Sequence, residues 1–189
     1  MLPLFIAYGL ILLFLVIERL LRRGEVSKTM KARPEDRGST MFVGIGFGWS
    51  MLVLVFAAFV YGRIIGSLNV AIAWVGIVLM LSGLLLRVWA ARTLGEFYTR
   101  TLVVGTHQVL VDRGPYRVLR HPGYAADIVL WLGAGLATGN MLFVIAIGVV
   151  ILPAYIYRMH VEEVMLHQRF GADFDQYTKR RKRVIPFLY

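Results

Sequence analysis

Residues 124–157, YAADIVLWLGAGLATGNMLFVIAIGVVILPAYIY, decide the fold. The run is too long for one membrane-crossing helix, since roughly 20 residues span the hydrocarbon core at about 1.5 Å per residue. Ala137, Thr138, Gly139 and Asn140 interrupt it with turn-forming chemistry. The stretch therefore reads as a tight hairpin of two helices. Working outward, residues 2–21, 41–61 and 70 to about 91 are further apolar runs of spanning length. The expectation is an all-α fold: a polytopic membrane bundle of about five transmembrane helices, with a cytosolic loop before the hairpin and interfacial helices in the C-terminal tail.

Composition points the same way. With 58% hydrophobic and 17% charged residues in 189, the chain is too apolar for a water-soluble domain and leaves no room for a separate Rossmann unit. A net charge of +10 would suit a nucleic-acid binder only if the basic residues shared a solvated face with groove-reading partners. Here they sit between apolar runs, as in the control of membrane topology, so no nucleic acid is expected. On this parsing 20 of the 21 Lys and Arg residues fall on one side and only Arg63 on the other. The amino terminus is expected outside, the carboxyl terminus in the cytosol, and the tail against anionic lipid headgroups. Basic residues follow the first apolar run and no small-residue cleavage site succeeds it, so it reads as a retained span rather than a signal peptide. The chain has no cysteine, which excludes disulfides, thiolate metal ligands and a Cys nucleophile. His107, His121, His160 and His167 are scattered without an HExxH pair, so no metal site is expected. Gly44 and Gly48 form a GxxxG, read as a helix-packing surface.

Three constellations carry candidate chemistry. Arg120-His121-Pro122-Gly123-Tyr124 stands where the cytosolic loop meets the hairpin, and proline suits the first helical position. It reads either as a functional mouth or as a helix start with interfacial anchors. Asp127, one turn deeper, is either functional or paired with Arg87 or Arg120. At the far end of the hairpin, Arg158 and Glu162 share a helical face by their spacing of four, whereas Glu163 is turned away. That segment reads as chemistry or as a solvated helix end with a surface ion pair. The third is residues 105–111, including His107, Val109 and Leu110, followed by Asp112 to Tyr116. This apolar stretch inside a polar loop must pack on something, the helix mouth being nearest, and reads either as backbone that meets a ligand or simply as a loop packed on the bundle. In the tail, Val161, Val164, Leu166, Phe170, Phe174 and Tyr177 recur near helical spacing, with Gly171 as a break between two helices.

In order and spacing these pieces resemble the isoprenylcysteine carboxyl methyltransferase family and its bacterial relatives. The resemblance covers roughly residues 94–187 through His107 with Val109 and Leu110, Tyr116, Arg120 to Tyr124, Glu162-Glu163 with Leu166, Phe170-Gly171, Phe174, Tyr177, and Arg183 to Pro186. The chain departs from that pattern at Asp127 and in residues 95–100. Hydropathy assigns residues 1–93 to three transmembrane helices, and the resemblance implies residues 94–189 as the cofactor-binding catalytic core. It implies an S-adenosylmethionine-dependent methyltransferase, yielding S-adenosylhomocysteine, that acts on a lipophilic small molecule or lipidated acceptor, a carboxylate among the options. Its setting would be a bacterial or archaeal cytoplasmic membrane, with the site facing the cytosol. His107, Val109, Leu110, Tyr116, His121, Tyr124 and Glu163 would bind the cofactor, with Glu163 on its ammonium group. Arg158, Glu162 and Arg120 would be catalytic. An NADPH-dependent reductase of the sterol-reductase type and a non-catalytic membrane scaffold are the alternatives.

Overall fold

A computed structural model describes residues 2–21, 34–61, 69–98 and 109–185, and its named elements are all helical. Helix α1 covers Leu2–Leu21. Its buried Pro3, Ala7, Ile11, Phe14 and Glu18 recur every three or four residues, so one stripe faces the protein while Phe5, Leu12 and Leu20 point outward. A helix apolar on both its inner and outer faces suits lipid as the surrounding solvent.

Helix α2, Ser39–Tyr61, starts from a short 3-10 turn at Pro34–Asp36. The fully buried Asp36 caps it, taking hydrogen bonds from Ser39 Oγ (2.6 Å), Thr40 N (3.0 Å) and Thr40 Oγ1 (3.1 Å). These bonds satisfy groups that a helix start otherwise leaves open. Helix α3, Val70–Leu94, is capped by Asn69, whose side chain accepts from Ala71 N and Ile72 N. Helix α4, Pro122–Thr138, begins on proline and ends at Gly139, whose φ of 67° is the left-handed conformation that glycine adopts freely. Asn140 then caps the next helix, its side chain accepting from Phe143 N at 2.9 Å. The expected hairpin turn is therefore present, residue for residue.

Helix α5, Met141–Phe170, contains a π-helical segment at Ile147–Ile151. Pro153 stands two residues beyond it and has no N–H for the Val149 carbonyl, so the ladder widens where it would otherwise break. The segment after Tyr157, expected as a separate interfacial helix, is the unbroken continuation of α5. The break falls at Gly171, as expected, and α6 covers Ala172–Arg180. By length and composition α1, α2 over Ser39–Phe56, α3 and α5 can each cross a membrane. Helix α4, with 17 residues, is the shortest of the five expected spans.

The closest packing joins α3 to α4, antiparallel. A Cβ built on Gly83 would stand 2.7 Å from Ala126 O and from Leu130 N, and one on Gly133 would stand 2.6 Å from Gly76 O. Small residues let two backbones meet in this way, and dispersion contacts then hold the helices where water exclusion cannot. The GxxxG in α2 does not do this. No heavy atom lies within 4 Å of a Cβ on Gly44 or Gly48, whereas the intervening Gly46 faces Val150. Between the helices Trp131 meets Phe14, Phe47 and Phe143 edge to face, with ring centroids 5.0–6.3 Å apart.

Candidate active site

At the end of the bundle that carries Arg87 and Arg158, a cavity of about 860 Å³ is walled by α1 to α5 and by residues 109–111 and 116 of the loop. Its inner part is apolar, formed by Phe14, Leu15, Val43, Gly44, Phe47 and Trp131. Toward the mouth the wall becomes polar.

The first polar layer is a buried network. Arg87 Nε donates to Glu18 Oε1 at 2.7 Å, and its Nη1 lies 3.3 Å from Asp127 Oδ2. Tyr98 OH donates to Glu18, and Tyr155 OH donates to Asp127. Of the two partners foreseen for Asp127, Arg87 is the one it meets. Gly123 permits the approach, since the Arg87 guanidinium would lie 2.9 Å from a Cβ there.

Arg158 forms the second layer. Its Nη1 donates to Thr40 Oγ1 at 2.7 Å and lies 3.8 Å from Asp36 Oδ1, while its Nε donates to Tyr124 OH at 2.8 Å. Tyr124 OH in turn donates to Glu162 Oε2 at 3.0 Å. Arg158 and Glu162 thus share a face, as their spacing requires, and Tyr124 bridges them. Asp36 and Thr40, which lock this arginine, were absent from the sequence-based candidates. Asp36 followed by Ser39 and Thr40 just before an apolar run is a helix-start signature, but nothing in that signature pairs it with an arginine 122 positions later.

The third layer is the mouth. Val109, Leu110, Tyr116, Arg120, His121, Tyr124, Arg158 and Glu162 all line the cavity, so eight of the ten expected site residues converge there. His107 lies outside the described residues. Glu163 is absent from the cavity wall, and its carboxylate is turned into a cluster of cations. Arg120 Nη1 and Arg183 Nη2 each donate to it at 2.7 Å, and His121 Nε2 lies 3.1 Å from its Oε1. The tail brings Arg183 there by pairing along the loop, with Arg120 N donating to Lys182 O (2.7 Å) and His121 N to Arg183 O (2.9 Å). Arg181 adds a two-oxygen contact to Asp112, and Tyr177 OH donates to Tyr116 O. Burial pushes the Tyr116 and Tyr177 phenols above their ordinary range, so both stay protonated at neutral pH. Among the described residues no group of His, Asp and Glu has metal-binding geometry.

Residues 71–173 match the profile of the family described as Phospholipid methyltransferase. The chain is 28% identical over 119 residues to a probable protein-S-isoprenylcysteine O-methyltransferase of Oryza sativa subsp. indica, covering 62% of each protein. It is 30% identical over 115 residues to protein-S-isoprenylcysteine O-methyltransferase B of Arabidopsis thaliana, covering 60% of this chain and 58% of that one. The aligned region thus spans about three-fifths of these relatives' length. The solved structure of the eukaryotic intramembrane Ras methyltransferase ICMT (isoprenylcysteine carboxyl methyltransferase) has the same fold over 76% of this chain and 52% of that one, with a TM-score of 0.60 at 23% identity. The resemblance read from the motifs is therefore borne out.

Proposed function

From the premise that this chain belongs to the phospholipid methyltransferase family, we propose that it is an integral membrane S-adenosylmethionine-dependent methyltransferase acting on a lipophilic acceptor that carries a carboxylate. One observation carries the reading: a single cavity joins a polar mouth, built by the motif residues, to an apolar inner chamber between α1, α2 and α4. A polar cofactor and an apolar chain fit its two ends. The volume of about 860 Å³ is near the top of the roughly 300–1,000 Å³ range of small-molecule sites.

The donor set fits the cofactor. Glu162, which lines the mouth, is the carboxylate placed to meet its ammonium group, in place of Glu163. Arg120 lines the same wall, and its buried Nε has no hydrogen-bond partner among the described residues, leaving a donor for a carboxylate. Val109, Leu110, Tyr116 and His121 would enclose the remainder, with the loop and tail on the cytosolic side. When bound, S-adenosylmethionine supplies an electrophilic methyl carbon on a sulfonium.

The protein's part is to align the acceptor and exclude water. Arg158, held by Thr40, Asp36 and Tyr124, presents a fixed cation to the acceptor carboxylate just above the apolar chamber. Phe14, Val43, Gly44, Phe47 and Trp131 would take the hydrocarbon. An anionic acceptor and a cationic methyl donor would both become neutral on transfer, a change that the low-dielectric surroundings of these side chains would favour.

Titration calorimetry of detergent-purified protein with S-adenosylhomocysteine tests the cofactor site, and methyl transfer to N-acetyl-S-farnesylcysteine tests the acceptor. Saturable binding and transfer, with transfer lost in Arg158→Gln while binding persists, is the expected result. A folded protein that shows no saturable binding overturns the reading.

A further inference from the structure

We infer that Glu163 is a positioning residue: clamped by Arg120 and by Arg183 of the tail, it takes the Nε2–H of His121 and leaves the ring's Nδ1 as the acceptor that faces the site. This goes beyond the proposed function, because the arrangement is a property of the ligand-free protein. Its consequence for cofactor binding rests on that proposal.

Glu163 Oε1 takes Arg120 Nη1 at 2.7 Å, and Oε2 takes Arg183 Nη2 at 2.7 Å, while Arg183 Nε reaches both oxygens at 3.2 Å. A carboxylate between two guanidinium groups is ionised and can only accept. His121 Nε2, 3.1 Å from Oε1, must therefore carry its proton. In the neutral ring the lone pair then belongs to Nδ1. That atom stands 3.8 Å from Glu162 Oε2, and both residues line the cavity, so a ligand N–H or O–H beside Glu162 finds an acceptor there. The ring is held as well as protonated: His121 is 4% exposed, and its backbone N–H is tied to Arg183 O at 2.9 Å. A residue in the tail thereby sets the face that a histidine 62 positions earlier shows to the cavity. The adjacent acids divide the work. Glu162 lines the cavity and Glu163 orients the histidine beside it.

The test has two readouts. Long-range ¹H–¹⁵N spectra of ¹⁵N-histidine-labelled protein in detergent, with the His121 signals assigned by their loss in His121→Gln, report the tautomer without any ligand. The Nε2–H form is expected in the wild type, with a shift toward mixed tautomers in Glu163→Ala and in Arg183→Gln. The Nδ1–H form in the wild type would overturn the inference. Second, S-adenosylhomocysteine affinity is measured in His121→Ala, Glu163→Ala and the double variant, with Glu163→Gln as the milder substitution should Glu163→Ala fold poorly. If Glu163 acts through His121, each single change weakens binding about tenfold and the double weakens it no further than His121→Ala. Losses that multiply would show that Glu163 meets the ligand itself, overturning the inference. Absence of binding in the wild type, with the tautomer as expected, would sink the cofactor reading and leave the positioning role standing.

Discussion

Replacing Gly83 by alanine is a sharp test of how the scaffold holds the site. In an ordinary helix this change would stabilise by about 1 kcal/mol, because glycine is the poorer helix former. Here the added carbon would meet Ala126 O and Leu130 N at 2.7 Å and Leu130 Cβ at 2.8 Å, against the 3.4 Å of ordinary contact. Backbone atoms of a capped helix cannot swing aside as a side-chain tip can. Helices α3 and α4 must therefore part by about 0.7 Å, and overpacking of this kind costs about 1–3 kcal/mol. Arg87 lies one turn beyond Gly83 and bridges to Asp127 at 3.3 Å, so the same displacement stretches that contact toward 4 Å. The expected net effect is a loss of up to about 2 kcal/mol, or several degrees in the thermal midpoint. Tryptophan fluorescence in detergent would follow it. Gly44→Ala is the matched control, since open space surrounds that position, and no loss is expected there. Should Gly83→Ala melt at or above the wild-type temperature while Gly44→Ala does not differ, the claim that backbone contact sets the α3–α4 spacing fails.

The lock on Arg158 predicts that Thr40→Val, which removes its 2.7 Å acceptor but keeps the Thr40 N–H on Asp36, lowers methyl transfer about tenfold and leaves S-adenosylhomocysteine affinity within twofold; equal losses in both would refute the assignment of Arg158 to the acceptor. Alkaline stability is a third expectation. Burial raises the Tyr98, Tyr116 and Tyr177 phenols above their unfolded value of about 10, so the stability they contribute is complete below that pH and is lost as pH climbs toward their folded values. Each then removes up to about 1.4 kcal/mol per pH unit, and thermal midpoints should fall between pH 10 and 11 less steeply in Tyr116→Phe than in the wild type. Parallel curves for the two proteins would count against burial of that phenol.

Hydropathy and turn chemistry are local, and for that reason the helices were legible in the chain. The apolar runs, the Gly139-Asn140 turn, the proline start of α4 and the Gly171 break each depend on neighbours a few residues apart, and each appears where the sequence places it. The motif residues that converge on the cavity were legible for a different reason. Their order is what the resemblance to a family picked out, and eight of the ten line one wall. Packing is where local reading stopped. A GxxxG has the same composition whether or not a partner helix approaches it, so the sequence could not tell that Gly44 borders open space while Gly83 touches Ala126 and Leu130. Charge pairing stopped there too. A sequence spacing of four places Arg158 and Glu162 on one face but is silent about Asp36, Thr40 and Tyr124, which reach the arginine from two other helices and their leading turn. Glu162 and Glu163 differ by one position, about 100° of rotation, and that rotation alone could not say which acid would find the cavity. The tertiary structure decided it, because only after the tail has paired with residues 119–121 does Arg183 stand beside Arg120 and draw Glu163 away from the cavity.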